Sequence, residues 1–242
     1  MYNFVFDPQN LSLEDEFAFN CYKGISCFNR CCYDVKLVLP PYDFLRLRMA
    51  LNLEVKDFIQ KYGELYLGEV TQLPVISINI NPHTFACPFL KEEEGCLVYK
   101  DRPSSCRLYP LARFITKNEE GKNQEVFKII RETHCKGHYE KRVIKIKDYL
   151  EEQGLRPYLY YNDLWGEVIL KRQKFSNTPL TGEILDLIFL MAYDLPTFKE
   201  KLKEDYGEDF FSKDLETSEE ELLEKSLIYI RDKLLTEENL FL

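Results

Sequence analysis

Apolar residues recur at two different spacings along this chain, and the spacing changes near residue 143. Before that point, short stretches alternate apolar and polar residues or are rich in β-branched types, a pattern typical of strands. Strands are predicted at residues 35–39, 74–80, 96–99 and 126–130. From residue 143 onward, apolar residues recur at intervals of three and four, as they do along one face of a helix. The chain is therefore predicted to be α+β and rich in helix.

Helical spacing also occurs earlier, so two helices are predicted inside the part that contains strands. One begins at about residue 43, after Pro40 and Pro41 end a strand, and the other covers residues 54–65. Later helices are predicted from residue 143 to Gly154 and at 163–172, 183–193, 196–206 and 218–235. Thr217 followed by Glu220 is typical of a capping box at the start of the last helix.

Three segments are predicted to connect these elements. Residues 101–110, DRPSSCRLYP, are rich in proline and serine and are predicted to form a loop. Residues 118–125 are charged and contain Gly121, which predicts an exposed hairpin turn. Residues 174–182, KFSNTPLTG, differ in composition from the helical segments on either side. They are predicted to link two domains. The first, 1–175, is a metal-binding domain made of short strands and loops around a cysteine-ligated metal core, and the second, 180–242, is a C-terminal helical extension.

Composition and charge narrow the function classes. The chain has 242 residues, 45% of them hydrophobic, which suffices for a core without disulfide bonds. Its net charge of −9 disfavours binding to nucleic acid, which requires clustered basic residues. No run approaches the roughly 18 apolar residues of a membrane helix, and the N-terminus lacks the pattern of a signal peptide. A cytoplasmic location is therefore expected, where thiols stay reduced or bind metal.

The cysteines are the residues that carry candidate chemistry. Four of them fall within twelve residues, CYKGISCFNRCC, and the full set is Cys21, Cys27, Cys31, Cys32, Cys87, Cys96, Cys106 and Cys135. Thiolates are soft ligands that suit zinc, copper(I) and iron–sulfur clusters. All eight are predicted to bind metal, in two four-coordinate sites or one larger cluster. An ordinary buried thiol at Cys21 or Cys135 stays open as an alternative.

The spacing of the cysteines narrows the kind of site. No CxxC occurs, which argues against a standard zinc ribbon or finger, and neither the bacterial ferredoxin pattern nor CxxxCxxC is matched. The side chains of the adjacent Cys31 and Cys32 are expected to point in different directions. They therefore more easily serve two metal ions, or two irons of one cluster, than a single tetrahedral ion.

Three histidines are further candidates for the metal site. His134 and His138 flank Cys135, and His83 precedes Cys87 by four residues. Each could bind metal, donate a hydrogen bond to a bound thiolate, or be an ordinary surface or core histidine.

Two arginines and two tyrosines lie among the later cysteines. Arg102 and Arg107 are expected to offset the negative charge of clustered thiolates, with pairing to the carboxylates of residues 92–94 as the alternative. Tyr99 and Tyr109 are expected to be packing residues.

Four strings resemble one known family. CPFL at 87–90, GCLVY at 95–99 and RPSSCRLYP at 102–110, after a first cluster ending in CC, are similar to the YkgJ-type cysteine-cluster family, a zinc- or iron-chelating domain. Cys135 and Gly137 match that family's ending, and the resemblance covers about residues 19–172. The first two cysteines are separated by five residues instead of two. The resemblance implies eight metal-binding cysteines; some members are named iron–sulfur proteins, and flagellin lysine methylases carry a similar cluster.

The favoured interpretation is a protein whose eight cysteines hold an iron–sulfur cluster or clusters, with a redox or electron-transfer role and an unknown protein partner. One alternative is a structural zinc protein whose acidic helical tail recruits a partner. Another is a protein lysine methyltransferase resembling the flagellin methylases, although no glycine-rich loop for a nucleotide or S-adenosylmethionine is present. No catalytic residue is assigned, so enzymatic activity stays open, and neither nucleic acid nor a membrane is expected as a partner.

Overall fold

The structure, a computed structural model, describes residues 4–204 and 217–237. Short antiparallel strands and eight helices form these residues, which confirms the predicted helix-rich α+β class. The strands are β1 Phe4–Phe6, β2 Glu16–Ala18, β3 Val38–Leu39, β4 Gly63–Leu67, β5 Pro74–Ile78, β6 Leu90–Lys91, β7 Gly95–Cys96, β8 Leu111–Lys117, β9 Asn123–Glu132 and β10 Val143–Lys145. The helices are α1 Pro41–Leu51, α2 Val55–Tyr62, α3 Ser104–Leu108, α4 Ile146–Glu152, α5 Arg156–Gln173, α6 Gly182–Ala192, α7 Leu195–Glu204 and α8 Glu219–Tyr229.

The chain divides into two compact units, each made of two segments. Among the described residues, unit 1 consists of residues 4–35 together with Ile80–Pro157, and unit 2 consists of Lys36–Asn79 together with residues 158–204 and 217–237. All eight cysteines lie in unit 1. The division into folding domains at 1–175 and 180–242 stays a prediction.

Unit 1 is built from paired strands around a small aromatic core. Its sheets have the strand orders β1-β9-β8, β10-β2 and β6-β7. Strands β8 and β9 form a hairpin whose turn contains Gly121 at φ 74°, which confirms the predicted turn. The buried rings of Phe17 and Phe19 contact Tyr149 of α4 at centroid distances of 5.2 and 6.3 Å. This core supports the segments that carry the cysteines.

Unit 2 combines a three-stranded sheet, β3-β5-β4, with the remaining helices. The fully buried ring of Phe44 in α1 lies edge-on to Phe58 of α2 at 5.0 Å and to Tyr193 at 5.7 Å. The Tyr193 hydroxyl donates a hydrogen bond to the carbonyl oxygen of Leu39, 3.3 Å away. The helix after residue 180 therefore shares a core with the helices and strands of residues 36–79. In the described part of the chain, no helix combines the length and apolar character needed to cross a membrane.

Long-range strand pairing accounts for several differences from the predicted elements. The helix predicted at 54–65 ends at Tyr62, because the following residues form β4 and pair with β5. The helix predicted from residue 143 begins at Ile146, because Val143–Lys145 pairs with β2. Strand β8 was not predicted, and it exists through its pairing with β9. The strands predicted at 35–39 and 74–80 are shorter, whereas the one at 126–130 extends over Asn123–Glu132. The strand predicted at 96–99 is wrong beyond Cys96, which ends β7, because Tyr99 begins a 3₁₀ turn, Tyr99–Asp101.

Local hydrogen bonds account for the other differences. The loop predicted at 101–110 is wrong, because Ser104–Leu108 forms helix α3 and the Arg107 N–H bonds the Pro103 carbonyl at 3.0 Å. The last helix is capped by Ser218, whose hydroxyl accepts the Glu221 N–H at 3.2 Å, and not by Thr217.

The remaining helices differ from the predictions mainly at their ends. The helix predicted at 163–172 begins earlier, at Arg156, and the one predicted at 183–193 is α6. The helix predicted at 196–206 is α7, and its last two predicted residues lie outside the described residues. The one predicted at 218–235 is α8, followed by a π-helical turn at Ile230–Leu234.

Two glycines are expected to respond oppositely to alanine. An added Cβ at Gly137 would lie 2.6 Å from Phe19 Cε2 and 2.9 Å from the carbonyl oxygen of Asn20, so Gly137→Ala should lower the unfolding free energy by about 1–3 kcal/mol. Gly166 lies inside α5 with nothing within 4 Å of an added Cβ, so Gly166→Ala should raise it by roughly 1 kcal/mol. Urea unfolding of both variants checks this, and a Gly137→Ala protein as stable as wild type would contradict it.

A chain ending at residue 179 is expected to keep its metal and lose more helix than the deleted segment contains. The metal should stay because all eight cysteines lie in unit 1. The additional helix should be lost because the deletion removes α6, which packs against β5, and α8, which packs against α1. The apolar faces of β5 and α1 would then be exposed to solvent. Metal analysis and far-ultraviolet circular dichroism measure the two effects. Loss of metal from the shortened chain would contradict the first expectation.

Candidate metal centre

The eight cysteines are free thiols held by turns and short elements of unit 1. Cys31 and Cys32 end a 3₁₀ turn, Arg30–Cys32, which begins after Asn29 in the left-handed conformation, at φ 68°. Cys96 ends β7, and Cys106 lies in α3. Of the eight, Cys135 alone is buried, whereas the exposed members are Cys21, Cys31 and Cys106. The group thus lies at the surface of unit 1 with one buried member.

Backbone hydrogen bonds join the first cysteine-rich loop to the segment around Cys135. The Asn20 N–H donates to the carbonyl oxygen of Gly137 at 3.1 Å. The Lys136 N–H donates to Cys27 Sγ, also at 3.1 Å, across a sequence separation of 109 residues. These bonds place Cys21 and Cys27 beside the turn that carries Cys135.

A second group of bonds joins the end of the first loop to Cys87 and Cys96. The Cys87 N–H donates to the carbonyl oxygen of Cys32 at 2.8 Å. The β6–β7 hairpin then pairs Leu90 with Cys96. The Asn29 side-chain amide holds the same hairpin through the carbonyl oxygen of Glu92, 2.8 Å away. The two halves of the cysteine set are therefore held together by main-chain contacts.

Three thiols accept a hydrogen bond from the backbone N–H two residues later. Burial raises the pKa of Cys87 to about 11 and also raises that of Cys96 and Cys135. Hydrogen bonds from the N–H groups of residues 89, 98 and 137 oppose this in Cys87, Cys96 and Cys135 respectively. Such N–H donors favour the charged form of sulfur, which is the form that binds metal.

Cys31 is a thiol whose pKa is lowered. The S–H of Cys32 donates to its sulfur, which lowers the pKa of Cys31 and raises that of Cys32. At Cys32 that hydrogen bond is the main cause of the raised pKa, and the charge on Cys31 adds to it. The charge on Cys31 also adds to the effect of burial in raising the pKa of five other thiols, Cys21, Cys87, Cys96, Cys106 and Cys135. Although Cys106 keeps contact with solvent, the protein atoms packed around its sulfur raise its pKa to about 12. A negative charge on Cys31 therefore disfavours ionisation of these six thiols.

Arg102 opposes this negative charge, as expected from the sequence. Burial raises the pKa of Cys21 and Cys96, and the guanidinium of Arg102 counteracts the increase in both. The Arg102 side chain is held over the Tyr99 ring at 3.8 Å and donates to the Tyr99 carbonyl oxygen at 2.6 Å. Tyr99 is thus a packing residue with a second role, because it positions the cation.

Arg107 contributes to the scaffold. Its buried guanidinium donates to the backbone carbonyl oxygens of Arg102, at 2.9 Å, of Gln153, at 2.7 Å, and of Lys100. These bonds fix the loop before α3 against the end of α4, and so hold the segment that carries Cys106.

Tyr109 lies beside Cys135. The sequence analysis predicted only a packing role for this tyrosine and missed its position next to a cysteine. Its ring packs against Phe19 at 6.2 Å, and its hydroxyl is buried without a partner of standard hydrogen-bond geometry among the described residues. Burial raises the pKa of Tyr109, and the neighbouring groups of Cys135 and Glu132 raise it further. The same hydroxyl opposes the effect of burial on the pKa of Cys135. Its position three residues after Cys106 was the signal in the sequence.

The structure places the three histidines differently. His138 is buried against the Phe19 ring at 5.4 Å, and burial lowers its pKa. His134 Nε2 lies 3.6 Å from a carboxylate oxygen of Glu132. His83 is exposed, and its backbone N–H bonds the Asn81 side chain. His134 and His138 are therefore neighbours of the Cys135 segment, and His83 lies at the surface.

The donor set fits a metal that prefers sulfur ligands. Across residues 4–204 and 217–237, no three Cys, His, Asp or Glu side chains are arranged so that they could hold a metal ion. The chemistry of the group is nevertheless that of a thiolate site, with eight sulfurs, main-chain N–H donors aimed at four of them and a nearby guanidinium. The role of each individual cysteine as a ligand stays a prediction.

Comparison with known proteins identifies the same segment. A family model named CxxCxxCC and described as "Putative zinc- or iron-chelating domain" matches residues 20–143, just over half of the chain. This range contains all eight cysteines. No curated protein and no solved structure matches the chain.

In the metal-free protein, Cys31 should be alkylated at lower pH than the other exposed thiols. Its pKa is lowered, whereas those of Cys21 and Cys106 are raised to about 11 and about 12, and the thiolate is the nucleophile. Cys32→Ala removes the S–H donor and should raise the pKa of Cys31, so its alkylation should shift to higher pH. Iodoacetamide modification followed by mass spectrometry measures each site, with Cys96→Ala as the control. An equal shift in both variants would contradict the assigned donor.

Proposed function

The chain belongs to this zinc- or iron-chelating family, and on that premise we propose that its eight cysteines hold an iron–sulfur cluster, or clusters, with a role in electron transfer. The observation that carries the proposal is the gathering of an all-thiol donor set in unit 1, around Cys31. Cysteine thiolates are the usual ligands of [2Fe–2S] and [4Fe–4S] clusters, which supply one-electron redox chemistry when bound.

Two features favour iron–sulfur over zinc. The chain lacks the CxxC knuckles on which zinc ribbons and fingers usually depend. The adjacent Cys31 and Cys32 also suit a centre with more than one metal atom. Their sulfurs share a hydrogen bond, so two neighbouring metal atoms could each take one of them.

The surrounding residues have clear tasks in such a protein. Arg102 offsets the charge of the thiolates, and the N–H groups of residues 89, 98, 136 and 137 donate to sulfur. Hydrogen bonds to sulfur and exposure to solvent are main determinants of cluster potential. Cys135 is buried beside Tyr109, whereas the exposed Cys21 and Cys31 leave one side open to an electron-transfer partner.

Zinc is the second candidate, favoured by the way the cysteines connect separate segments. A structural metal site of this kind contributes roughly 10 kcal/mol or more to folding. It would clamp the first loop to the β6–β7 hairpin and to α3, segments far apart in sequence. No observation favours the methyltransferase alternative, and we do not propose it.

Metal and sulfide analysis of anaerobically purified protein tests the proposal. Iron and acid-labile sulfide in comparable amounts are expected, with visible absorption that bleaches on reduction. Cys31→Ala combined with Cys32→Ala should abolish the colour, whereas Tyr139→Phe, a change at a largely exposed side chain of unit 1, should leave it unchanged. A colourless, iron-free wild type with about two equivalents of zinc, one per four thiolates, would overturn the iron–sulfur assignment.

A further inference from the structure

We propose that unit 1 docks an acidic one-electron carrier protein on the surface around its exposed thiols Cys21 and Cys31. The proposal rests on the proposed function and adds the chemistry of the partner to it. In the exchange, one electron passes between the two redox centres, and no bond forms or breaks. The docking region, named the basic surface, consists of Lys23, Arg30 and Lys136 together with the aromatic residues Tyr22 and Tyr139.

The two segments that form the basic surface contain basic residues and no acidic ones. Residues 17–33 include Lys23 and Arg30 but no Asp or Glu, and residues 133–139 include Lys136 and again no carboxylate. Unit 1 as a whole has equal numbers of acidic and basic residues, so the net charge of −9 comes from the rest of the chain. The positive charge beside these cysteines is therefore a local feature, and it favours contact with a negatively charged surface.

Main-chain hydrogen bonds bring the three cations of the basic surface to one loop. Arg30 donates its N–H to the carbonyl oxygen of Cys27 at 3.0 Å, and Lys136 donates its N–H to Cys27 Sγ at 3.1 Å. The backbones of these two cations therefore adjoin the same cysteine. The start of the loop is bonded to the same turn, because the Asn20 N–H donates to the carbonyl oxygen of Gly137 at 3.1 Å. The third cation follows Asn20 in this loop.

The cationic groups of the basic surface are available to a partner. All three side chains are exposed, and none of them forms an ion pair with a carboxylate of the described residues. The Arg30 guanidinium lies over the Tyr33 ring at 5.6 Å. The Lys136 ammonium lies over the Tyr139 ring at 5.9 Å. Such contacts orient a cation without using its N–H donors. The carboxylate that precedes the second segment, Glu132, lies 3.6 Å from a histidine nitrogen and forms no ion pair with Lys136.

Two aromatic side chains supply the apolar part of the basic surface. Tyr22 is 44% exposed and Tyr139 is 80% exposed, and each lies in one of the two basic segments. Exposed tyrosines are frequent anchors of protein–protein contacts, because the ring is apolar and the hydroxyl is polar. Complexes between electron carriers bury little surface and associate through complementary charges. The partner is therefore expected to surround its own redox centre with Asp and Glu side chains.

Binding of an acidic carrier to the full chain, purified anaerobically with its metal, tests the basic surface. The probe is an acidic plant-type [2Fe–2S] ferredoxin that is labelled for fluorescence anisotropy. Its affinity should fall about tenfold when salt rises from about 20 mM to about 200 mM, because added ions screen the charges. Arg30→Glu combined with Lys136→Glu should weaken binding about tenfold at the lower salt. The matched control, Lys117→Glu with Lys122→Glu, makes the same change of charge on the β8–β9 hairpin and should leave the affinity within about twofold.

Circular dichroism and metal content check that each variant is folded and loaded. If the double variant of the basic surface does not fold, Lys23→Glu replaces it, since Lys23 is exposed, and a weakening of about threefold is expected. No binding of ferredoxin at low salt would overturn the basic surface. Equal weakening by the two double variants, or tighter binding of the basic carrier cytochrome c, would also overturn it.

Electron exchange with reduced ferredoxin is measured separately, which keeps the basic surface and the proposed function distinct. Binding with the expected pattern but without electron exchange supports the basic surface and refutes the proposed electron transfer. Electron exchange that neither salt nor the double variant changes supports the proposed function and refutes the basic surface.

Discussion

Gathering ionisable thiols in one compact unit creates mutual repulsion, and the arrangement of unit 1 depends on how that repulsion is managed. Burial and the charge of Cys31 raise the pKa of most of the other thiols, so the metal-free protein favours neutral sulfur at those positions. Metal binding must then displace protons, and metal affinity should increase with pH as the thiols ionise. Arg102 and the backbone N–H groups directed at sulfur reduce this cost.

The scaffold that holds the thiols is mostly main chain. Gly137 permits the first loop to approach the turn at Cys135, and the hydrogen bonds that Arg107 donates to carbonyl oxygens fix the segment before α3. Phe19 fills the space behind these contacts, touching Tyr109, His138 and Tyr149. Because these groups join elements that are far apart in sequence, a substitution of any one of them should alter the positions of several cysteines.

Unit 2 contributes no thiol, and its stability comes from ordinary burial of apolar and aromatic side chains. Phe44, Phe58 and Tyr193 bring α1, α2 and the segment after α6 into one core. Aromatic pairs of this kind add roughly 0.5–1.5 kcal/mol beyond the area that they bury. The C-terminal helices therefore stabilise their own unit by completing its core.

The sequence by itself determined the composition of the candidate site, the helix-rich α+β class and the turn at Gly121. These follow from local information, namely the identity and spacing of cysteines, the period of apolar residues and the backbone freedom of glycine. Only the tertiary structure decided that β8 and β10 exist, that residues 36–79 group with the C-terminal helices, and which cysteines lie beside which. Each of these depends on pairing between distant segments, such as Val143–Lys145 with β2 or Lys136 with Cys27, and local patterns carry no information about which distant segment supplies the partner.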